Sequence, residues 1–228
     1  LYSYNVVEPI HFNRYKQDLT VEFKKKTPRS SLKHTLNFSH YQIQYTNKGG
    51  QLKCPESSNG LCVSKFANAG YYLNKLTWNS VNSSILHPYS FGISIEQGDY
   101  FVKTTLIGNY RINYKQRKNG CSIRLFGGRF LYNETAKVNP QFGFYMDGGR
   151  DYLYENIFLG REAEDGLLSN QFLNNEGGFK SSLDIASSQS WLTALNLQSS
   201  LFRSFPLELY ADFGWSSIDP SNFLCGFG

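Results

Sequence analysis

Read for side-chain polarity alone, the chain is a succession of segments with a period of two. The longest runs from Tyr100 to Lys115. Tyr100, Val102, Thr104, Leu106, Gly108, Tyr110, Ile112 and Tyr114 share one face, and Lys103, Thr105, Asn109, Arg111, Asn113 and Lys115 the other, interrupted by Phe101 and Ile107. An extended chain points successive side chains to opposite faces, so this pattern predicts a strand with one apolar and one polar side. At ~3.3 Å per residue it reaches roughly 50 Å, far beyond an ordinary strand of five or six residues.

The pattern recurs along the chain. Leu207, Leu209, Ala211, Phe213 and Trp215 oppose Glu208, Tyr210, Asp212, Gly214 and Ser216, while Trp191, Leu195, Leu197 and Leu201 oppose Asn196, Gln198 and Ser200. Leu19–Phe23, Phe91–Ile95, Val138–Met146 and Phe179–Ile185 alternate in the same way, and Ala69–Ser80 keeps step at Tyr72, Leu76 and Trp78. The apolar phase slips near His40 and across Gly127-Gly128, which predicts a bulge at each. Turn signals such as Asn47-Lys48-Gly49-Gly50, Gln97-Gly98-Asp99 and Lys118-Asn119-Gly120 join the segments into about ten strands.

A soluble sandwich buries its apolar faces, whereas a membrane barrel turns them to lipid around a polar lumen. Period alone does not separate the two. Three features favour an all-β fold of the antiparallel transmembrane β-barrel type. The strands are long. Aromatic residues mark their ends at Tyr100, Tyr114, Trp191 and Trp215, as in an interface girdle. The polar faces carry charges of both signs, Lys103, Arg111, Arg124, Asp184, Glu208 and Asp212, while the apolar faces carry almost none.

Composition agrees. Phe 18, Tyr 16, Trp 3 and Gly 20 stand against a single Met, a strand-and-turn profile that excludes a helical bundle. No run approaches the ~20 apolar residues of a spanning helix. The net charge of +5 is mild, and its one dense cluster, Lys24, Lys25, Lys26, Arg29 and Lys33, reads as a solvated turn or headgroup-facing rim. No nucleic-acid partner is expected.

Cys54 and Cys62 bracket a polar loop and form a candidate disulfide, with free thiols as the alternative. Cys121 and Cys225 are expected to be unpaired. The four histidines show no ligand spacing, and neither a phosphate-binding Gly loop nor a nucleophile elbow occurs, so no cofactor, metal or catalytic residue is expected.

One stretch, 148–178, does not alternate. Its length predicts a loop with a structure of its own, a short helix or a plug. Arg150, Asp151, Glu155, Arg161, Glu162, Glu164 and Asp165 form its charged group, expected to hold the loop in the barrel mouth through Arg–carboxylate pairs. The acidic members only loosely resemble a calcium loop.

The same stretch carries a resemblance. Gly-Arg-Asp-Tyr-Leu-Tyr at 149–154, Gly-Arg-Glu at 160–162, Gly-Leu-Leu-Ser at 166–169 and Glu-Gly-Gly-Phe-Lys at 176–180 resemble the C-terminal barrel region of Bacteroidota outer-membrane proteins that carry an M1-like (gluzincin) metallopeptidase head. The likeness is clearest from about Phe126 to Trp215. It implies a barrel in the outer membrane of a Gram-negative bacterium, anchoring such a domain. No His-Glu-x-x-His occurs here, so no zinc ligand transfers to this chain.

The chain starts at Leu1 and stops at Gly228 without a terminal aromatic, as a processed chain or a segment of a longer one would. One or two further strands would bring the barrel to an even number near twelve. The expected function is a single-domain membrane anchor or scaffold, 1–228, in an outer-membrane assembly, with lipid and other outer-membrane or surface proteins as partners. The alternatives are the barrel of a zinc peptidase whose head lies outside this chain, and a soluble carbohydrate-binding domain using Trp78, Trp191 and Trp215.

Overall fold

A computed structural model describes residues 9–25, 27, 29–47, 67–85, 87–114, 119–134, 142–147, 151–155, 175–180, 187–200, 207–218 and 223–228. The strands are β1 (Pro9–Glu22), β2 (Leu32–Asn47), β3 (Ala67–Asn82), β4 (Tyr89–Gln97), β5 (Phe101–Asn113), β6 (Gly120–Asn133), β7 (Phe144–Tyr145), β8 (Ser187–Ser188), β9 (Trp191–Ser200), β10 (Glu208–Ser216) and β11 (Leu224–Phe227). Nine of them form one antiparallel sheet in the order β1-β2-β3-β4-β5-β6-β9-β10-β11, and β7 pairs with β8 apart from it. The fold is all-β, with no α-helix among the described residues.

The two faces differ in the sense that the alternation predicts. Leu19 and Val21 on β1, Phe38 on β2, Leu76 on β3, Ile93 and Ile95 on β4, Leu106 on β5, Leu125 on β6 and Leu209 and Trp215 on β10 are all exposed on the outer side. Glu96, Lys103, Arg124, Asn196 and Asp212, one step out of phase, are buried on the inner side. Register makes the inner side orderly. Asp18, Ser39, Lys75, Glu96 and Lys103 are successive cross-strand partners from β1 to β5, and Ser90, Asn109, Arg124, Asn196 and Asp212 form a second such row from β4 to β10.

The connection 134–190 joins β6 to its neighbour β9, and its described parts lie against the inner face. Phe142, Phe144, Met146 and Phe179 are buried there with Phe101, Phe126 and Phe130 of the sheet. The rings of Phe126 and Phe130 meet that of Phe144 edge-on at 6.0 and 5.0 Å. Gly128 makes this approach possible, because a Cβ there would stand 2.6 Å from the Phe144 ring. The sheet therefore folds around an apolar plug on one half of its interior and keeps polar rows on the other.

Several expectations need correction. Val138–Met146 and Phe179–Ile185 are expected as strands, and their described residues, 142–146 and 179–180, take no place in the nine-stranded sheet. Among their described residues only Phe144 and Tyr145 are in a strand, and Phe142, Phe144, Met146 and Phe179 point into the interior. Phe142, Phe144 and Met146 alternate because every second side chain there enters the aromatic cluster. No bulge occurs at His40 or at Gly127-Gly128. Register runs unbroken through both, and the shift on β5–β6 lies instead between Val102 and Lys103. The phase slips reflect apolar residues turned inward to meet the plug, Tyr41 and Ile43 on β2 and Phe126 and Phe130 on β6. The strand β11 was not anticipated.

Among the described residues β1 and β11 do not pair with each other, so the sheet is open. Nine strands, each antiparallel to the next, leave β1 and β11 running in the same direction.

Candidate functional site

The inner polar rows and the plug meet in a network that ties them together. Glu155 accepts hydrogen bonds from Lys16 Nζ on β1 at 2.8 Å and from Tyr41 OH on β2 at 2.7 Å. Lys16 and Tyr41 are cross-strand partners, so the register itself presents both donors to one carboxylate. Arg14 Nη1 donates to the carbonyls of Leu153 and Tyr154 at 3.1 and 2.6 Å. Tyr152 OH donates to Glu96 Oε1 on β4 at 2.7 Å, and Tyr71 OH donates to the Tyr152 carbonyl.

A second group lies below the aromatic cluster. Arg124 donates to Asn196 Oδ1 at 2.8 Å and to the Glu176 carbonyl at 2.7 Å, and Asn196 Nδ2 donates to Asp212 Oδ1 at 3.0 Å. Asp212 Oδ2 accepts the backbone N–H of Lys180 at 3.0 Å. Tyr154 and Glu176 have positive φ, 51° and 42°, a conformation that side chains disfavour. Each offers its carbonyl to a wall arginine, which offsets that local cost.

Among the described residues Lys103 is the most enclosed cation, only 1% exposed. Its ammonium donates to the Phe142 carbonyl at 2.9 Å and lies 4.6 and 5.1 Å from the ring centroids of Tyr152 and Phe144. Ring faces compensate part of the charge. The plug titrates accordingly. Burial pushes the Glu176 carboxyl up to about 7, Lys103 and the Tyr145 N–H pulling the other way. Burial, then the Glu96 carboxylate, holds the Tyr152 phenol well above its ordinary value. Burial works to raise Glu155 too, but the bonds from Lys16 and Tyr41 outweigh it and hold that carboxyl low.

Two cavities flank the plug. One of 570 Å³ is lined by Lys75, Glu96, Lys103, Asp151, Tyr152, Glu155 and Glu176, with Ile107 and Phe126 on its apolar side. The other, of 510 Å³, is lined by Arg111, Arg124, Lys180 and Gln198. Ser90 and Asn109 line both.

No model of a protein family, no curated protein and no solved structure matches this chain. The site therefore stands on its own geometry. Among the described residues no cluster of three or more His, Cys, Asp or Glu has the arrangement of a metal site.

Of the loop charges expected to act together, Asp151 and Glu155 lie inside the sheet, with Asp151 Oδ1 accepting the Glu155 N–H at 3.0 Å. Glu155 is held by Lys16 of the wall. Arg150, Arg161, Glu162, Glu164 and Asp165 lie outside the described residues, as do Cys54 and Cys62. Cys121 and Cys225 are free thiols. No helix occurs in the described parts of 148–178.

The marked aromatics fall at opposite ends. Tyr100, Trp191 and Trp215 lie at one end of the strands and Tyr114 at the other, where its OH meets Ser199 Oγ at 2.9 Å. Lys24, Lys25, Arg29 and Lys33 are exposed. Arg111 and Glu208 keep the inner phase expected of them, Arg111 on the lining of the second cavity and Glu208 accepting from Gln198, and both are exposed near strand ends. The residues that sequence reasoning missed are Lys16, Tyr41, Lys75, Glu96, Tyr152 and Glu176. A signal existed for one pair. Counting outward from the Gln97-Gly98-Asp99 turn places Glu96 opposite Lys103.

Proposed function

We propose that this chain is the wall and plug of an outer-membrane β-barrel that serves as an anchor or scaffold. The observation that carries the reading is the inverted distribution of polarity. Large apolar side chains are exposed on the outer face from Leu19 on β1 to Phe227 on β11, while Glu96, Lys103, Arg124 and Asp212 are buried within. An apolar surface that extends across the sheet exceeds what soluble monomers expose, and hydrocarbon is the solvent that it suits. The aromatic residues at both strand ends fit the two interfaces of a bilayer.

Closure follows from the same physics. In lipid every backbone N–H and C=O needs a partner, and the free edges of β1 and β11 would lack them. Since both edges run the same way, an all-antiparallel wall closes with an odd number of further strands between them. The network of Lys16, Glu155, Arg14 and Tyr41 fills the lumen with plug, which suits an anchor better than a wide pore. The likeness at 149–180 adds the location, a Gram-negative outer membrane, and a surface or peptidase-like domain as the anchored partner.

Flotation tests this. Refolded with phospholipid vesicles, the protein is expected to rise with them through a density gradient and to resist an alkaline carbonate wash. A chain that stays dissolved and monomeric without amphiphile would refute the proposal.

A further inference from the structure

The 570 Å³ cavity between β3–β6 and the plug holds charges that have no ion-pair partner among the described residues. Lys75, Glu96 and Lys103 are successive partners across β3, β4 and β5, and Glu176 faces them from the plug. Glu96, Lys103 and Glu176 are all at least nine-tenths buried. Yet no ion pair within 4.0 Å joins any of the four among the described residues.

Their hydrogen bonds leave capacity over. Glu96 receives Tyr152 OH on Oε1, Glu176 receives the Tyr145 N–H on Oε2, and Lys103 gives one bond to the Phe142 carbonyl. One oxygen of each carboxylate, two donors of Lys103 and the whole ammonium of Lys75 have no partner among the described residues. Enclosed charges in this state are costly unless something bridges them.

We propose that this cavity binds a small zwitterion of the amino-acid or dipeptide class, its ammonium received by Glu96 and Glu176 and its carboxylate by Lys75 and Lys103. The signs select the class. Asp151 and Glu155 also line the cavity, Glu155 already bonded by Lys16 and Tyr41 and Asp151 accepting the Glu155 N–H, so a simple anion would meet carboxylates, a simple cation the ammoniums of Lys75 and Lys103, and a neutral sugar would compensate neither. A zwitterion offers each half its opposite at no change in net charge. Phe126 and Ile107 line the rest and leave an apolar space for a side chain. The volume lies within the ~300–1,000 Å³ usual for small-molecule sites.

A second signature follows from Glu176. Lys75, Glu96 and Lys103 of the wall, Tyr152 of the plug and Arg124, itself beside Asp212, all act on its carboxyl, which titrates at about 7. An arriving ammonium favours the ionised form, so binding at pH 7 releases part of a proton. The site depends on the inner face alone, so this test and the flotation test fail independently.

Titration calorimetry of the native protein, in detergent micelles, with Ala-Ala is the experiment. Saturable binding is expected, with a heat that changes with the ionisation enthalpy of the buffer. The doubly capped analogue N-acetylalanine amide should bind about tenfold more weakly or worse, and maltose likewise. Lys75→Gln, at a half-buried ammonium that holds no hydrogen bond, should weaken Ala-Ala by about tenfold while leaving the melting temperature unchanged. Glu96→Gln should do the same to affinity. Equal binding of the capped peptide or maltose, an unchanged affinity in Lys75→Gln, or no saturable heat at millimolar Ala-Ala would overturn the proposal.

Discussion

Replacing Leu125 by arginine separates lipid from water as the solvent of the outer face. Leu125 is 51% exposed near the middle of β6, its Cα partners being Gly108 on β5 and Leu195 on β9. In water the substitution forfeits about half the burial of a leucine, roughly 1 kcal/mol, and the arginine stem recovers part of that. At the midplane of a bilayer the charge costs about 2–4 kcal/mol, falling to about 0–1 near the interface. Leu131, 62% exposed near the end of β6 that lies beside Tyr100, supplies the comparison. Urea unfolding from phospholipid vesicles, followed by tryptophan fluorescence, should show Leu125→Arg destabilised by about 2–4 kcal/mol and Leu131→Arg by no more than about 1, at equal m values. If both variants lose the same amount, below about 1 kcal/mol, the outer face is not in hydrocarbon and the reasoning fails.

Three further outcomes follow from the interior. Phe144→Ala removes a fully buried ring held between Phe126 and Phe130, and equilibrium unfolding should show a loss of about 3–5 kcal/mol. Asp212→Ala leaves the Asn196 amide and the Lys180 N–H without their buried acceptor and should cost about 1–3 kcal/mol, and Arg124→Met with Asp212→Leu, linked through Asn196, should cost clearly less than the sum of the single changes in a double-mutant cycle. Glu176 keeps its proton in the fold up to about 7 but loses it near 4.5 in the unfolded chain, so its contribution is full below 4.5 and is lost as pH rises to about 7. Glu176→Gln should therefore flatten the stability–pH curve over that window and gain roughly 3 kcal/mol on wild type at pH 8, measured by unfolding at several pH values.

The alternation of β4, β5, β9 and β10 was enough to assign their outer and inner sides, because a pleated strand between two solvents leaves little freedom in that choice. Its interruptions meant more than they seemed to. Phe101 and Ile107 break the polar face of β5, and Phe126 and Phe130 break that of β6, because aromatic residues of the plug cover them. Read as bulges or noise, these positions hid the interior cluster. The part of the plug from Phe142 to Met146 was misread because a period of two reports side chains in unlike surroundings without saying whether they belong to the wall. Phe144 and Met146 alternate as wall residues do, yet both are wholly buried inside. The charged site was half legible. Lys103, Arg124 and Asp212 stood out as charges on strand faces, whereas Tyr41 and Glu155 come together from positions far apart in sequence, which only the tertiary fold reveals.

The central claim concerns what touches the outer face, and nitroxide scanning along β5 of the membrane-reconstituted protein measures that contact directly. Single labels at Val102, Thr104 and Leu106 should show high accessibility to molecular oxygen and low accessibility to a water-soluble nickel chelate, with the reverse at Thr105 and Asn109 and low accessibility to both at Lys103, which the plug covers. Collision of the nickel chelate with the even-numbered positions would place the outer face in water and contradict the account.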